Sequence, residues 1–237
     1  MLGGASYPGD KHVEDALSRR LSGLVPRILT QENWFGGDPA AGLARRKRRL
    51  LECLAGSSIV PETTVLIGRS SGARVATLLA MQLPLLAVVC IAYPFQAPRR
   101  VLEPPRFAHL NRLAVPTLLL QGTEDIYGGA DITERFALSP AVHVRLLPGI
   151  SHAFDLSSDG WDRVSAMIKG FVTGRADPAV ESASLFDEAY YLGQYPDVAK
   201  AVASGRLASG QAHFARHGRS RGLPHRLHAL KGAFAAS

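Results

Sequence analysis

Three side chains far apart in this sequence have types and surroundings suited to one reaction. Ser70 stands inside Gly68-Arg69-Ser70-Ser71-Gly72, Asp125 ends Gln121-Gly122-Thr123-Glu124-Asp125, and His152 follows Pro148-Gly149-Ile150-Ser151. A serine hydroxyl is a weak nucleophile until a base takes its proton; a neutral imidazole can do so, and a carboxylate fixes the imidazole tautomer. Together they would support acyl transfer through a covalent serine intermediate. The glycine spacing selects Ser70 as nucleophile and leaves Ser71 to offer its backbone amide to the developing oxyanion. Glu124 and Asp131 are alternative carboxylates. Each of the three residues also has a plain reading: Ser70 in a surface turn, Asp125 in an ordinary turn, His152 on a surface loop.

The elements around these residues favour the chemical reading. Thr64 to Ile67 is a short β-branched and aliphatic run that reads as a buried strand, and after Ser71 the residues Val75, Leu78 and Leu79 fall at helical spacing. Ser70 then occupies a sharp strand-to-helix turn, where glycines two positions either side avoid collisions and the helix aims its free amides at the reaction centre. Leu86 to Tyr93, Val115 to Gln121 and Val142 to Leu147 read as further strands, and helices are expected over Asp10 to Leu21 (capped by Asp10), Ala40 to Leu54, Ile132 to Leu138 and Trp161 to Val172. Val25 to Leu29 reads as one more strand, with Trp34 to Asp38 as the loop after it. Alternating strands and helices predict an α/β fold with a doubly wound, mainly parallel sheet, whose strand ends converge Ser70, Asp125 and His152 on one edge.

Composition narrows the class more than the partner. With 46% hydrophobic and 20% charged residues in 237, the chain can bury one substantial core plus an appendage. The net charge of +7 names no partner. Arg45, Arg46, Lys47, Arg48 and Arg49 form a basic run without interleaved aromatics, so a solvated helix face is expected and nucleic acid is not. Cys53 and Cys90 have no metal-ligand or disulfide spacing, so a reducing, cytoplasmic setting is the default expectation, with no metal. No secretory signal is read at the start, and Gln82 and Pro84 interrupt the longest apolar tract, so no membrane span is expected.

Four motifs occur in order: Gly68 to Ala76 as G-x-S-x-G-x-R-x-A, Tyr93 to Phe95 as Y-P-F, Gln121 to Asp125 as Q-G-T-x-D, and Ser151 to Phe154. Through them residues 1–174 resemble an α/β-hydrolase of the small branch close to dienelactone-hydrolase-like esterases. The resemblance implies hydrolysis of a small ester or acylated substrate without metal or organic cofactor, with Ser70, Asp125 and His152 as the triad. It also implies an oxyanion loop at Leu2 to Ala5, with the Gly3, Gly4 or Ala5 amide joining that of Ser71. The family includes members in which catalysis is not evident, so a non-catalytic scaffold binding protein or glycan is the alternative. Two departures stand out. Ile126 replaces the usual proline after the acid, and almost no strand precedes Gly3, which leaves open whether the sheet keeps the family's N-terminal strands. The slot beside Val65 and Ile67 is expected to be filled by an upstream extension, by Val25 to Leu29 or by another chain.

Residues 175–182 read as a linker, and residues 183–237 as a small helical module. The module holds seven Lys or Arg against three Asp or Glu, a balance of +4. Its sequence is similar to a bacterial segment of the form F-D-x-x-Y-Y-L-x-x-x-P-D-V appended to polysaccharide-related and secreted proteins, which implies a contact with glycan or protein. Phe186, Tyr190, Tyr191, Leu192, Val198, Val202, Leu207 and Phe214 are its expected core. His213 and His217 have i, i+4 spacing, but no nearby carboxylate or cysteine supports a metal site.

Overall fold

Each of the apolar runs around the three residues becomes a strand of one parallel sheet. The structure, a computed structural model, describes residues 1–35, 42–174, 188–207, 209–213 and 217. Strands β1 (Val65–Arg69), β2 (Ala87–Ile91), β3 (Thr117–Gly122) and β4 (Val142–Leu147) lie side by side in that order. All pairings are parallel, with Val65 opposite Ala87, Val88 opposite Thr117 and Thr117 opposite Val142. β1 to β3 are almost wholly buried, as strands covered on both faces should be, and their side chains alternate between two cores.

On one face Leu66, Val88, Cys90 and Leu119 pack with Leu50 and Leu54 of α3 (Leu43–Ala55) and with Val75 and Leu79 of α4 (Ser71–Ala80). On the other, Ile67, Val89, Ile91, Leu118 and Leu120 meet Val13, Leu17 and Leu21 of α1 (Lys11–Leu21) and Trp161, Val164 and Ile168 of α6 (Ser158–Thr173). Each such aliphatic side chain, fully buried, contributes about 1.5–3 kcal/mol. Among the described residues of this unit the remaining α-helices are short, α2 (Gln31–Phe35) and α5 (Ile132–Arg135), beside 3-10 turns at Pro61–Thr63, Pro104–Arg106 and Ala108–Arg112.

Several expectations change in physical detail. Val25 to Leu29 is not a strand; Pro26 removes a ladder donor, and the segment runs irregularly while Leu29 and Ile28 pack on the two cores. Trp34 and Phe35 belong to α2 rather than to a loop, and Gly36 to Asp38 lie outside the described residues. The helix expected to reach Leu138 stops at Arg135 because Phe136 turns extended and stacks on Phe95, centroids 4.6 Å apart, with Phe107 at 4.7 Å. α6 starts three residues before Trp161 because Ser157 caps it, accepting from the Gly160 amide at 3.2 Å. Asp10 precedes α1 but makes no capping hydrogen bond.

The slot beside β1 is filled at its upper end by Leu2. The Leu2 amide donates to the Ile67 carbonyl at 2.8 Å, and the Arg69 amide donates to the Leu2 carbonyl at 2.9 Å, forming a parallel bridge to Gly68. Toward the opposite end of β1 lies a cavity of about 650 Å³ lined by Leu24, Ile28, Thr64, Val65, Leu86 and Val172 among others. It therefore sits at the end of the strand remote from Ser70.

The chain divides into two compact units, Met1–Arg175 and Ala176–Ser237. In the second, α7 (Glu188–Gln194), α8 (Pro196–Ala203) and α9 (Gly210–His213) are helical. Tyr191 and Val198 are buried there; Leu192, Val202 and Leu207 are half-buried. The Tyr191 hydroxyl and His213 Nδ1 are hydrogen-bonded at 3.0 Å. Phe186, Phe214 and the expected linker lie outside the described residues. Among the described residues, no helix is long and apolar enough to cross a membrane.

Candidate active site

Ser70 sits between β1 and α4 with φ 52° and ψ −118°, a conformation that L residues adopt only under constraint. The two glycines make the turn sterically feasible. A Cβ on Gly68 would lie 2.5 Å from the Ala73 amide nitrogen. One on Gly72 would lie 2.4 Å from the Leu2 carbonyl oxygen and 2.5 Å from that of Gly3, so the second glycine clears the N-terminal segment packed beside β1.

The structure brings Ser70, His152 and Asp125 together. Ser70 Oγ is 3.0 Å from His152 Nε2, and His152 Nδ1 is 2.9 Å from Asp125 Oδ2 and 3.0 Å from Oδ1. A ring nitrogen facing both oxygens of an ionised carboxylate carries the proton there, which leaves Nε2 as the acceptor for the serine hydroxyl. Asp125 is 3% exposed and held from three sides: besides His152, it accepts from Gln121 Nε2 at 2.8 Å and from the Tyr127 amide at 2.8 Å. The Tyr127 ring lies 4.2 Å, centroid to centroid, from that of His152. Ile126 does not disturb this grip, because it points outward at 70% exposure. Glu124 and Asp131, the alternative acids, are both exposed, and Asp131 faces Arg135 at 3.5 Å. Gly122 lets the two loops cross, since a Cβ there would meet the Ile150 carbonyl oxygen at 2.0 Å.

Ser71 opens α4 beside Ser70, so its amide is one of the free helix-terminal donors. The Gly4 amide, in contrast, is already engaged. It donates to Asp10 Oδ2 at 2.7 Å, and the Gly3 amide donates to Gln31 Oε1 at 2.8 Å. A donor spent on a buried carboxylate is not available to an oxyanion, which leaves the Ala5 amide as the remaining candidate of the predicted loop. Peptide planarity supports this: the Gly4 carbonyl accepts from the Tyr7 amide at 3.4 Å, so the Ala5 N–H points the opposite way.

Two arginines tie this loop down. Arg69 Nη1 meets Asp10 Oδ2 at 3.1 Å and Arg69 Nη2 donates to the His152 carbonyl at 3.1 Å. Arg46, expected on a solvated face, is 3% exposed; it donates to the Gly3 carbonyl at 2.6 Å, to Gln31 Oε1 at 2.9 Å and to Ser71 Oγ at 3.0 Å. Burial lowers its pKa and the Asp10 carboxylate opposes that shift. Arg45, Arg48 and Arg49 are exposed as expected. Sequence reasoning gave no role in the site to Gln121, Arg46 or the Asp10 carboxylate, although Gln121 opens the Q-G-T-x-D motif and Arg46 shares one helical stripe with Leu43, Leu50 and Leu54. Among the described residues no group of three His, Cys, Asp or Glu side chains is placed to hold a metal ion.

A fold with this sheet and a serine at this turn defines a class, and sequence comparison agrees. A family model described as an alpha/beta hydrolase domain matches residues 33–169, and the chain belongs to that family. An uncharacterized protein of Mycobacterium tuberculosis is 30% identical over 190 residues, spanning 71% of this chain and 67% of its own length. Among solved structures, the esterase domain of a Rhodothermus marinus protein matches with a TM-score of 0.52 at 15% identity, covering 72% of this chain and 83% of its own. A Xanthomonas campestris protein assigned to the hydrolases of the alpha/beta superfamily matches with a TM-score of 0.51 at 18% identity, over 70% and 94%. These structural likenesses show a shared fold.

Proposed function

We propose that the chain is a serine hydrolase that cleaves an ester or related acyl bond. The observation that carries this reading is the continuous relay from Ser70 Oγ through the His152 ring to Asp125, with contacts of 3.0 Å and 2.9 Å. Ser70 attacks the substrate carbonyl while His152 Nε2 takes its proton, and Asp125 holds the ring and stabilises the imidazolium. The Ser71 and Ala5 amides receive the tetrahedral oxyanion, assisted by the positive end of α4. His152 then protonates the leaving alcohol, and a water activated by the same imidazole hydrolyses the acyl-enzyme.

The motifs at Gly68 to Ala76, Tyr93 to Phe95 and Gln121 to Asp125 favour the dienelactone-hydrolase-like esterase branch, and hence a small ester or acylated substrate. In this reading residues 1–174 are the hydrolase domain, 175–182 a linker, and 183–237 a module that contacts glycan or protein. Unchanged polysaccharide and protein binding after removal of 183–237 would argue against that last role. The activity is tested with a fluorophosphonate probe and a series of aryl esters of graded chain length. Labelling and turnover that vanish in Ser70→Ala and persist in Ser71→Ala are expected; a folded wild-type chain inert to both overturns the reading.

A further inference from the structure

We propose that Asp10 and Arg69 are positioning residues for the Ser70 reaction. Their ion pair fixes the loop that carries the oxyanion donor against the loop that carries the base. The proposal rests on the hydrolase reading above and deepens it.

Arg69 immediately precedes Ser70, and its backbone is pinned by the hydrogen bond that its amide donates to the Leu2 carbonyl at 2.9 Å. From there the guanidinium forks. One arm reaches Asp10 Oδ2 at 3.1 Å and the other the His152 carbonyl oxygen at 3.1 Å. Asp10 Oδ2 also receives the Gly4 amide at 2.7 Å. One connected unit therefore spans the Gly4 loop, the residue next to Ser70 and the histidine loop. The fit is tight at its centre. A Cβ on Gly4 would stand 2.5 Å from Asp10 Oδ2, 2.7 Å from Arg69 Nη1 and 3.3 Å from the Ser70 Cβ.

The arrangement is poorly explained as a stabilising salt bridge. Asp10 is 5% and Arg69 9% exposed, so both are largely desolvated, yet Asp10 Oδ1 and Arg69 Nε are buried without a hydrogen-bond partner. An apolar pair of similar volume would commonly hold such a place as well or better. Asp10 also forgoes the capping bond that its place before α1 would offer. What the pair does supply is direction: a planar fork that reaches two loops through two rigidly spaced nitrogens, where a lysine offers a single one on a flexible stem. Donor and base act on the transition state, so misplacing them lowers kcat and leaves ground-state binding nearly intact.

The test uses the full chain and four variants: Arg69→Lys, Asp10→Asn, Arg69→Met and the double variant Asp10→Leu/Arg69→Met. A short-chain aryl ester gives kcat and KM, a fluorophosphonate gives the rate of Ser70 labelling, and thermal unfolding gives Tm. Arg69→Lys and Asp10→Asn are expected to lose roughly 10- to 100-fold in kcat and in labelling rate while KM moves less than about threefold. The double variant is expected to recover Tm relative to Arg69→Met without recovering kcat. Near-wild-type kcat in a folded Arg69→Lys chain, or a double variant that regains kcat together with Tm, overturns the positioning role alone. A wild-type chain that neither turns over ester nor takes the probe at Ser70 overturns the hydrolase reading and this inference with it.

Discussion

The Gln121 side chain bridges the ends of two loops and Asp125. Its carbonyl takes the Tyr93 amide at 2.8 Å, while its NH2 donates to Asp125 Oδ2 at 2.8 Å and to the Gly128 carbonyl at 2.6 Å. Gln121 is fully buried at the end of β3, where the strand hands over to the acid loop. The Ala92 amide still donates to the Leu120 carbonyl at 3.0 Å, and the Gln121 side chain takes over at Tyr93, after the Ala92 φ of 51° has turned the chain out of the sheet.

Replacing Gln121 by methionine keeps the volume and removes every one of those bonds. The Tyr93 amide and Gly128 carbonyl are then buried without this partner, at about 1–3 kcal/mol each, so a loss of roughly 2–5 kcal/mol in urea unfolding is expected. Asp125 keeps the Tyr127 amide but gains freedom to swing, and kcat should fall by about tenfold. A folded Gln121→Met chain with wild-type kcat would show that Tyr127 and His152 position the acid by themselves.

The run from Arg45 to Arg49 separates a buried function from an exposed one. Arg46 satisfies the Gly3 carbonyl, Gln31 and Ser71 at once, whereas Arg48 and Arg49 stand 3.8 Å and 3.9 Å from Glu52 at the surface. Arg46→Met is expected to cost roughly 2–4 kcal/mol, because several buried acceptors lose a charged donor. Arg48→Ala and Arg49→Ala should each fall within about 0.5 kcal/mol of wild type. Equal effects from all three substitutions in chemical unfolding would contradict this division.

What could be read from the sequence follows from which interactions are local. Ser70, Asp125 and His152 were legible because each follows a strand whose apolar run is unmistakable, and a parallel sheet brings such strand ends to one rim. The helix boundaries at Ser158 and Arg135 were not, because a capping serine and an aromatic stack decide them. Val25 to Leu29 has a strand's composition, yet Pro26 has no amide proton to give to a ladder, and Leu2 takes the place beside Gly68. Asp10 looks like a cap in one dimension; that Arg69 claims its carboxylate depends on a contact across more than fifty residues, which spacing does not encode. Arg46 was hidden by its neighbours, since five consecutive basic residues read as solvated although one of them falls on the apolar stripe of α3.

His109 makes the stability of the first unit sensitive to acid. The ring is 9% exposed, and His109 Nε2 lies 2.9 Å from Thr77 Oγ1. That hydroxyl is 3.1 Å from the Ala73 and Arg74 carbonyls, to which it gives its proton, so it accepts from the imidazole N–H. Burial, aided by the positive charges of Arg74 and Arg112, pushes the His109 pKa down to about 4 from 6.5. The folded state thus binds this proton less readily than the unfolded chain does. Its contribution is intact above about pH 6.5, declines as pH falls from there toward 4, and the total change is of order 2 kcal/mol once partial solvation is allowed for. Tm measured between pH 7.5 and 4.5 should therefore fall more steeply for wild type than for His109→Gln, whose amide keeps a donor for Thr77 and cannot titrate. The two proteins should lie closest near pH 7.5 and separate toward pH 4.5, wild type falling below the variant; parallel curves across that range would remove His109 from the account of acid sensitivity.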